Sequence, residues 1–219
     1  MKKGLLILSF ALVLSACQKK TEEAPAADAA SAPAPTAAAP APAAEPTDEE
    51  RARAKKQAAL DYATMEDSYL NDPKGQWAKD GTASSTFGET SANGASDSNK
   101  PKNLVGKPDG RQWTNDHQDM GFDTLEVSFE KPVHATEVRA VFDAGVEAVS
   151  KLEVKGADGT YTTVWSGLNE EPEDQRGPRS WFVRKFEKTA TPVQGVKITI
   201  ANNIDNGYKV VDAVQLVGE

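Results

Sequence analysis

One cysteine, two histidines and a shortage of positive charge remove several kinds of chemistry from this 219-residue chain. A single thiol makes no intrachain disulfide, so any folded part must be held by its own core. His117 and His134 lie far apart in the chain, and neither a metal pair nor a Ser-His-Asp relay finds support around them. Neither a phosphate loop nor a dinucleotide fingerprint occurs between Gly94 and Gly110, and no unit repeats along the chain. With 25 Lys and Arg against 33 Asp and Glu, the chain lacks the clustered cations that replace counterions on a nucleic acid. The run Leu5 to Val13 is the one long apolar stretch, well short of the ~20 residues that a membrane-spanning helix needs. Glu170, Glu171, Glu173 and Asp174 crowd into a polar, proline-containing loop without the apolar neighbours that tune a glycosidase acid, so they read as a solvated loop. No enzyme is expected.

What is present begins at the N-terminus. Lys2 and Lys3 precede the apolar run, and Leu14-Ser15-Ala16-Cys17 closes it with the small residues that a signal peptidase accepts. This pattern resembles the bacterial lipoprotein signal. The resemblance implies cleavage after residue 16, a diacylglycerol on Cys17, and, with Gln18 in place of Asp, sorting to the outer membrane of the cell envelope. Each buried methylene adds about 0.8 kcal/mol, so two or more acyl chains on Cys17 would make the bilayer a lasting partner.

Residues 17–46 form a linker, of which residues 24–46 hold thirteen alanines and six prolines. Such a disordered, polyproline-biased tether rises ~3.1 Å per residue and reaches roughly 70 Å when extended. Thr47, with Glu50 three residues on and acids between them, then predicts a capped helix over residues 47–70. Ala58, Tyr62, Met65 and Tyr69 recur at helical spacing, a stripe for the following domain or for a partner helix.

Beyond Gly75 the period changes to two. Leu125, Val127 and Phe129 alternate with Glu126 and Ser128, as do Val138, Ala140 and Phe142 with Glu137 and Arg139, and Leu152 and Val154 with their lysine and glutamate neighbours. Further strands are expected over residues 160–165, 181–186, 196–201 and 210–217, which predicts an antiparallel β-sandwich across residues 75–219.

Trp77-Ala78 with Thr82 to Ser85, Asn103 to Asp109 with Trp113 downstream, Leu125 to Phe129, Pro132 to Arg139, Val164 to Gly167 and Asp212 to Gly218 follow in an order similar to the galactose-binding-like, discoidin-type β-sandwich family. That resemblance implies a jelly-roll sandwich with ligand loops at one end. It also implies a structural calcium, matching Asp109 and Asp212, although the family's acid falls where this chain has Ala213. The competing reading makes Asp109 a turn former and Asp212 a hydrogen-bonded strand-end acid.

Sugar recognition needs an aromatic face and a few planar polar groups. Arg111, Trp113, His117, Arg179, Trp181, Asn203 and Tyr208 are the candidate ligand residues, with core packing the alternative for Trp113 and Trp181. The expected protein is thus an anchored lipoprotein that binds an envelope or extracellular carbohydrate without turnover; the alternative is an adaptor docking an envelope protein.

Overall fold

The computed structural model describes residues 45–219; the expected signal peptide, Cys17 and the expected linker up to residue 44 lie outside the described residues. Helix α1 (Asp48–Leu70) starts on a capping box. Thr47 Oγ1 accepts from the Glu50 amide at 3.2 Å, and the Glu50 carboxylate accepts from the Thr47 amide at 2.7 Å. The Thr47 amide and hydroxyl, both donating to it, hold the Glu50 carboxyl below its ordinary range.

Ten strands follow: β1 (Gly75–Trp77), β2 (Asp80–Ala83), β3 (Trp113–Thr114), β4 (Phe122–Val133), β5 (Ala135–Ala144), β6 (Val149–Gly156), β7 (Tyr161–Ser166), β8 (Ser180–Lys185), β9 (Val193–Ala201) and β10 (Val210–Gly218). They form two five-stranded antiparallel sheets. The first runs β1-β10-β5-β8 with β3 paired to β10, and the second runs β2-β4-β9-β6-β7. The protein is therefore mainly β, a two-sheet sandwich with one helix near the N-terminus.

The period of two explains the core. Leu125, Val127 and Phe129 of β4 face inward and meet Val196, Ile198 and Ile200 of β9, with Val138, Ala140 and Phe142 of β5 on the opposite sheet. On the second sheet the side chains between them point outward, where the Tyr161 hydroxyl donates to Glu126 at 2.5 Å, with the Lys155 ammonium 5.1 Å from the ring centre.

β10 departs from alternation because both its faces are covered, and Val211 to Gly218 are all buried. Val214 and Leu216 enter the sandwich core, whereas Ala213, with Val141 and Trp181, belongs to a second cluster under α1. Tyr62, Met65, Tyr69 and Leu70 supply the helix side of that cluster. The apolar stripe thus packs on the chain's own sheet, while Asp48 to Gln57 stay exposed.

A polar clamp fixes the end of α1. Arg139, 5% exposed, pairs with Asp72 at 2.9 Å and Glu137 at 2.6 Å, donates to Gln215 at 2.9 Å, and lies 4.3 Å from the Tyr69 ring centre. Removing one partner of so buried a cation would leave charge without compensation.

Candidate functional site

Ala144 faces Val210, Phe142 faces Ser180 and Phe122 faces Ala201, so the strand ends bring the segments 84–121, 145–148, 167–179 and 202–209 to one end of the sandwich. All the candidate ligand and calcium residues sit at or just beneath this end. They do not form one site.

The two tryptophans are core, not platform. Trp113 has no exposed surface, and its indole Nε1 donates to the Ser85 carbonyl at 2.9 Å. β3 pairs with β10 and turns that ring inward, so the expectation of a stacking surface at Trp113 is corrected. Trp181 is 7% exposed because α1 lies over β8; Tyr69 tilts against it at 5.1 Å and Trp77 meets it edge-on at 6.5 Å. It, too, is unavailable to a sugar.

Asp212 is where the expectation of calcium fails. β10 is bulged here: Val211 pairs with Phe142 and Ala213 with Val141, which leaves Asp212 without a cross-strand partner and aims its carboxylate at the loop before β3. Its oxygens accept the amides of Asp109 at 3.2 Å and Gly110 at 3.1 Å, and Arg179 Nε stands 3.4 Å away. Asp109 in turn accepts the Arg111 amide and guanidinium at 2.9 Å, which hold its carboxyl below the usual range. N–H groups already surround these oxygens, the wrong polarity for a cation that needs six or more oxygen ligands. The residues do not fit calcium. Among the described residues no group of three or more His, Cys, Asp or Glu side chains gathers as a metal site either. Burial and the charge of Asp212 raise the neighbouring Asp143 carboxyl, with Arg179 opposing.

A second, fully buried polar knot joins the loops before β4 and before β10. Asn115 Nδ2 donates to Asp123 at 3.2 Å and Asn202 at 3.1 Å; Asn202 Nδ2 reaches the same Asp123 oxygen at 2.8 Å. Burial raises the Asp123 carboxyl, but donors from Ser85, Asn202, Ser84 and Asn115 outweigh it and hold the group low. Lys209 has no exposed surface, and burial pushes its amine below the ordinary lysine range against the pull of Asp205, Asp119 and Asp123.

Above this knot lies a cleft of about 620 Å³ between the loops around residues 144–147, 172–175 and 205–208. Tyr208 is its one aromatic wall, half-buried and braced edge-on by Phe87 at 4.9 Å. Glu147, Glu173, Gln175, Asp205 and Asn206 supply the polar lining. Glu173 is held in place by accepting the Gly145 amide at 3.2 Å.

Of the candidates, then, only Tyr208 borders the cleft. His117 and Asn203 are exposed on the adjoining loops, and Arg111 and Arg179 belong to the Asp212 cluster. Glu147 and Lys209 escaped the sequence reading. The one signal for Lys209 was a charge entering the otherwise apolar Val210-Val211 strand.

No protein-family model and no curated protein matches the chain. Solved structures do. A selenomethionine-labelled variant of chitosan-binding module 1, from a chitosanase/glucanase of Paenibacillus sp. IK-5, superposes with TM-score 0.50 at 14% identity, covering 65% of this chain and 99% of that one. The CBM32-5 module of Clostridium perfringens CpGH89, solved with GalNAc-β-1,3-galactose, gives 0.47 at 11%, covering 63% and 94%. Reduced XRCC1, bound to the catalytic domain of DNA polymerase β, gives 0.49 at 14%, covering 67% and 99%. The first of these likenesses defines a class: the β-sandwich seen in carbohydrate-binding modules. At such identity it establishes the fold alone.

Proposed function

We propose that the sandwich is a non-catalytic carbohydrate-binding module, held by acylated Cys17 at the cell envelope, in the outer membrane, where it binds an envelope or extracellular glycan. The observation that carries the reading is the Tyr208 cleft. Sugar rings lay C–H surface on an aromatic wall and offer hydroxyls to surrounding amides and carboxylates, and about 620 Å³ suits such a ligand. The shared fold with the chitosan-binding module adds support. Glu147, Glu173 and Asp205 line the cleft and, among the described residues, no lysine or arginine does, which favours an uncharged or amino-bearing sugar over a uronate or sulfated one.

Calorimetry of the full chain against neutral, amino and acidic oligosaccharides tests the binding half. Neutral or amino sugars should bind through Tyr208, whereas binding that survives Tyr208→Ala unchanged, or none at all, would sink it. The anchor rests on Lys2, Lys3 and Leu14 to Cys17. Labelled palmitate should enter the wild-type chain and not Cys17→Ser, and a Cys17→Ser protein that still fractionates with envelopes refutes it.

A further inference from the structure

The Lys209 ammonium sits in a cage of backbone oxygens of the kind in which proteins hold hard cations. Nζ donates to the carbonyls of Gln118 at 2.6 Å, Asn202 at 2.9 Å, Asp205 at 2.5 Å and Gly207 at 2.7 Å. Two loops contribute these oxygens, residues 115–121 and residues 202–208. The stem is seated as firmly as the head. A side-chain carbon at Gly145 would stand 2.8 Å from Lys209 Cγ, and the Lys209 amide donates to Asn115 Oδ1 at 2.8 Å.

An ammonium has three protons for these four oxygens, whereas an apolar side chain would leave all four carbonyls converging without its N–H donors. Tyr208 is the residue before Lys209, and Asp205 and Gly207, whose carbonyls the ammonium grips, belong to the cleft wall. We infer that Lys209 is a positioning residue that serves as the chain's own built-in cation. It gathers the two loops, sets the stance of Tyr208 and Asp205 before ligand arrives, and does so without a metal. The ligand half of this inference rests on the carbohydrate reading above; the loop-ordering half does not.

The test uses the full chain with Lys209→Met and Lys209→Ala, read by amide hydrogen exchange over residues 115–122 and 202–208 and by affinity for an oligosaccharide that the wild type binds. Lys209→Met should speed exchange in both loops and weaken affinity by about tenfold or more, while core amides of β4 and β9 keep their protection. Methylammonium should restore loop protection to Lys209→Ala, and tetramethylammonium, which has no N–H, should not. Unchanged exchange in Lys209→Met, or equal rescue by both ions, overturns the inference. Should neither variant fold, nitrogen-15 NMR of wild-type Lys209 Nζ decides: a slowly exchanging ammonium coupled across hydrogen bonds to the carbonyls upholds the role, and a fast-exchanging one refutes it. If the wild type binds no oligosaccharide, the carbohydrate reading falls while the exchange data still judge Lys209.

Discussion

The ring of Tyr62 occupies the space that a side chain at Gly177 would need. A carbon built at Gly177 would lie far inside contact with three Tyr62 ring atoms, and the Tyr62 hydroxyl donates to the Arg179 carbonyl at 3.1 Å. Helix and loop end are thereby keyed together, because Arg179 also reaches toward Asp212.

Gly177→Ala should consequently loosen α1. Overpacking of this kind costs about 1–3 kcal/mol. Thermal unfolding should shift down, and amides of residues 58–70 should exchange faster than those of β4 and β9. Tyr62→Phe keeps the ring and forfeits only the hydroxyl, which the Arg179 carbonyl and the Glu66 carboxylate share, so its cost should be about 1 kcal/mol.

Asp212→Ala should release the loop that Asp109 and Gly110 anchor. Two amides and the Arg179 guanidinium lose their common acceptor, with an expected cost of about 3 kcal/mol by denaturant unfolding. A ligand of the folded state raises Tm by mass action, so millimolar calcium should leave the wild-type Tm in place. A clear rise would reinstate the metal.

Tyr161 and Glu126 should titrate as partners. Burial and the Glu126 carboxylate push the Tyr161 hydroxyl up to about 12, so its contribution to stability is complete below the unfolded value near 10 and is lost as pH rises from there through 12. Glu126 is held low chiefly by the Tyr161 hydroxyl, so its contribution is present above the unfolded value near 4.3 and fades as pH falls through the lowered one. Tyr161→Phe should therefore flatten the alkaline limb of Tm against pH and return the Glu126 carboxyl, followed by NMR, toward its ordinary range.

Trp113→Phe and Tyr208→Ala should separate packing from recognition. The first opens a void beside a carbonyl that loses its donor and should cost about 2–4 kcal/mol with ligand affinity unchanged. The second should weaken sugar binding by about tenfold or more, since the aromatic wall is the main apolar contact, with little change in Tm. The opposite pattern would return the platform to Trp113.

Much of the architecture was legible because it depends on neighbours in sequence. Thr47 and Glu50 mark a helix start within four residues, and Leu125, Val127 and Phe129 declare a half-buried strand within five. The two-residue β3 and the short β1 carried too little pattern to read, being strands only because β10 offers them hydrogen bonds. The site was less legible than the fold. Trp113 and Trp181 have the residue type of a sugar platform, yet the faces they present depend on β3 pairing with β10 and on α1 lying over β8.

Composition and local spacing alone determined that this chain carries a basic then apolar run ending at Cys17, an Ala/Pro-rich stretch, a capped helix and a strand-built remainder. Tertiary structure decided what those pieces do to one another. A bulge turned Asp212 onto loop amides, and convergence of four carbonyls gave Lys209 a buried place. The reason is physical: helix and strand periods are written in residues a few positions apart, whereas Asp212 meets the Asp109 amide, and Lys209 the Gln118 carbonyl, only when segments far apart in the chain are brought together by the closing of both sheets.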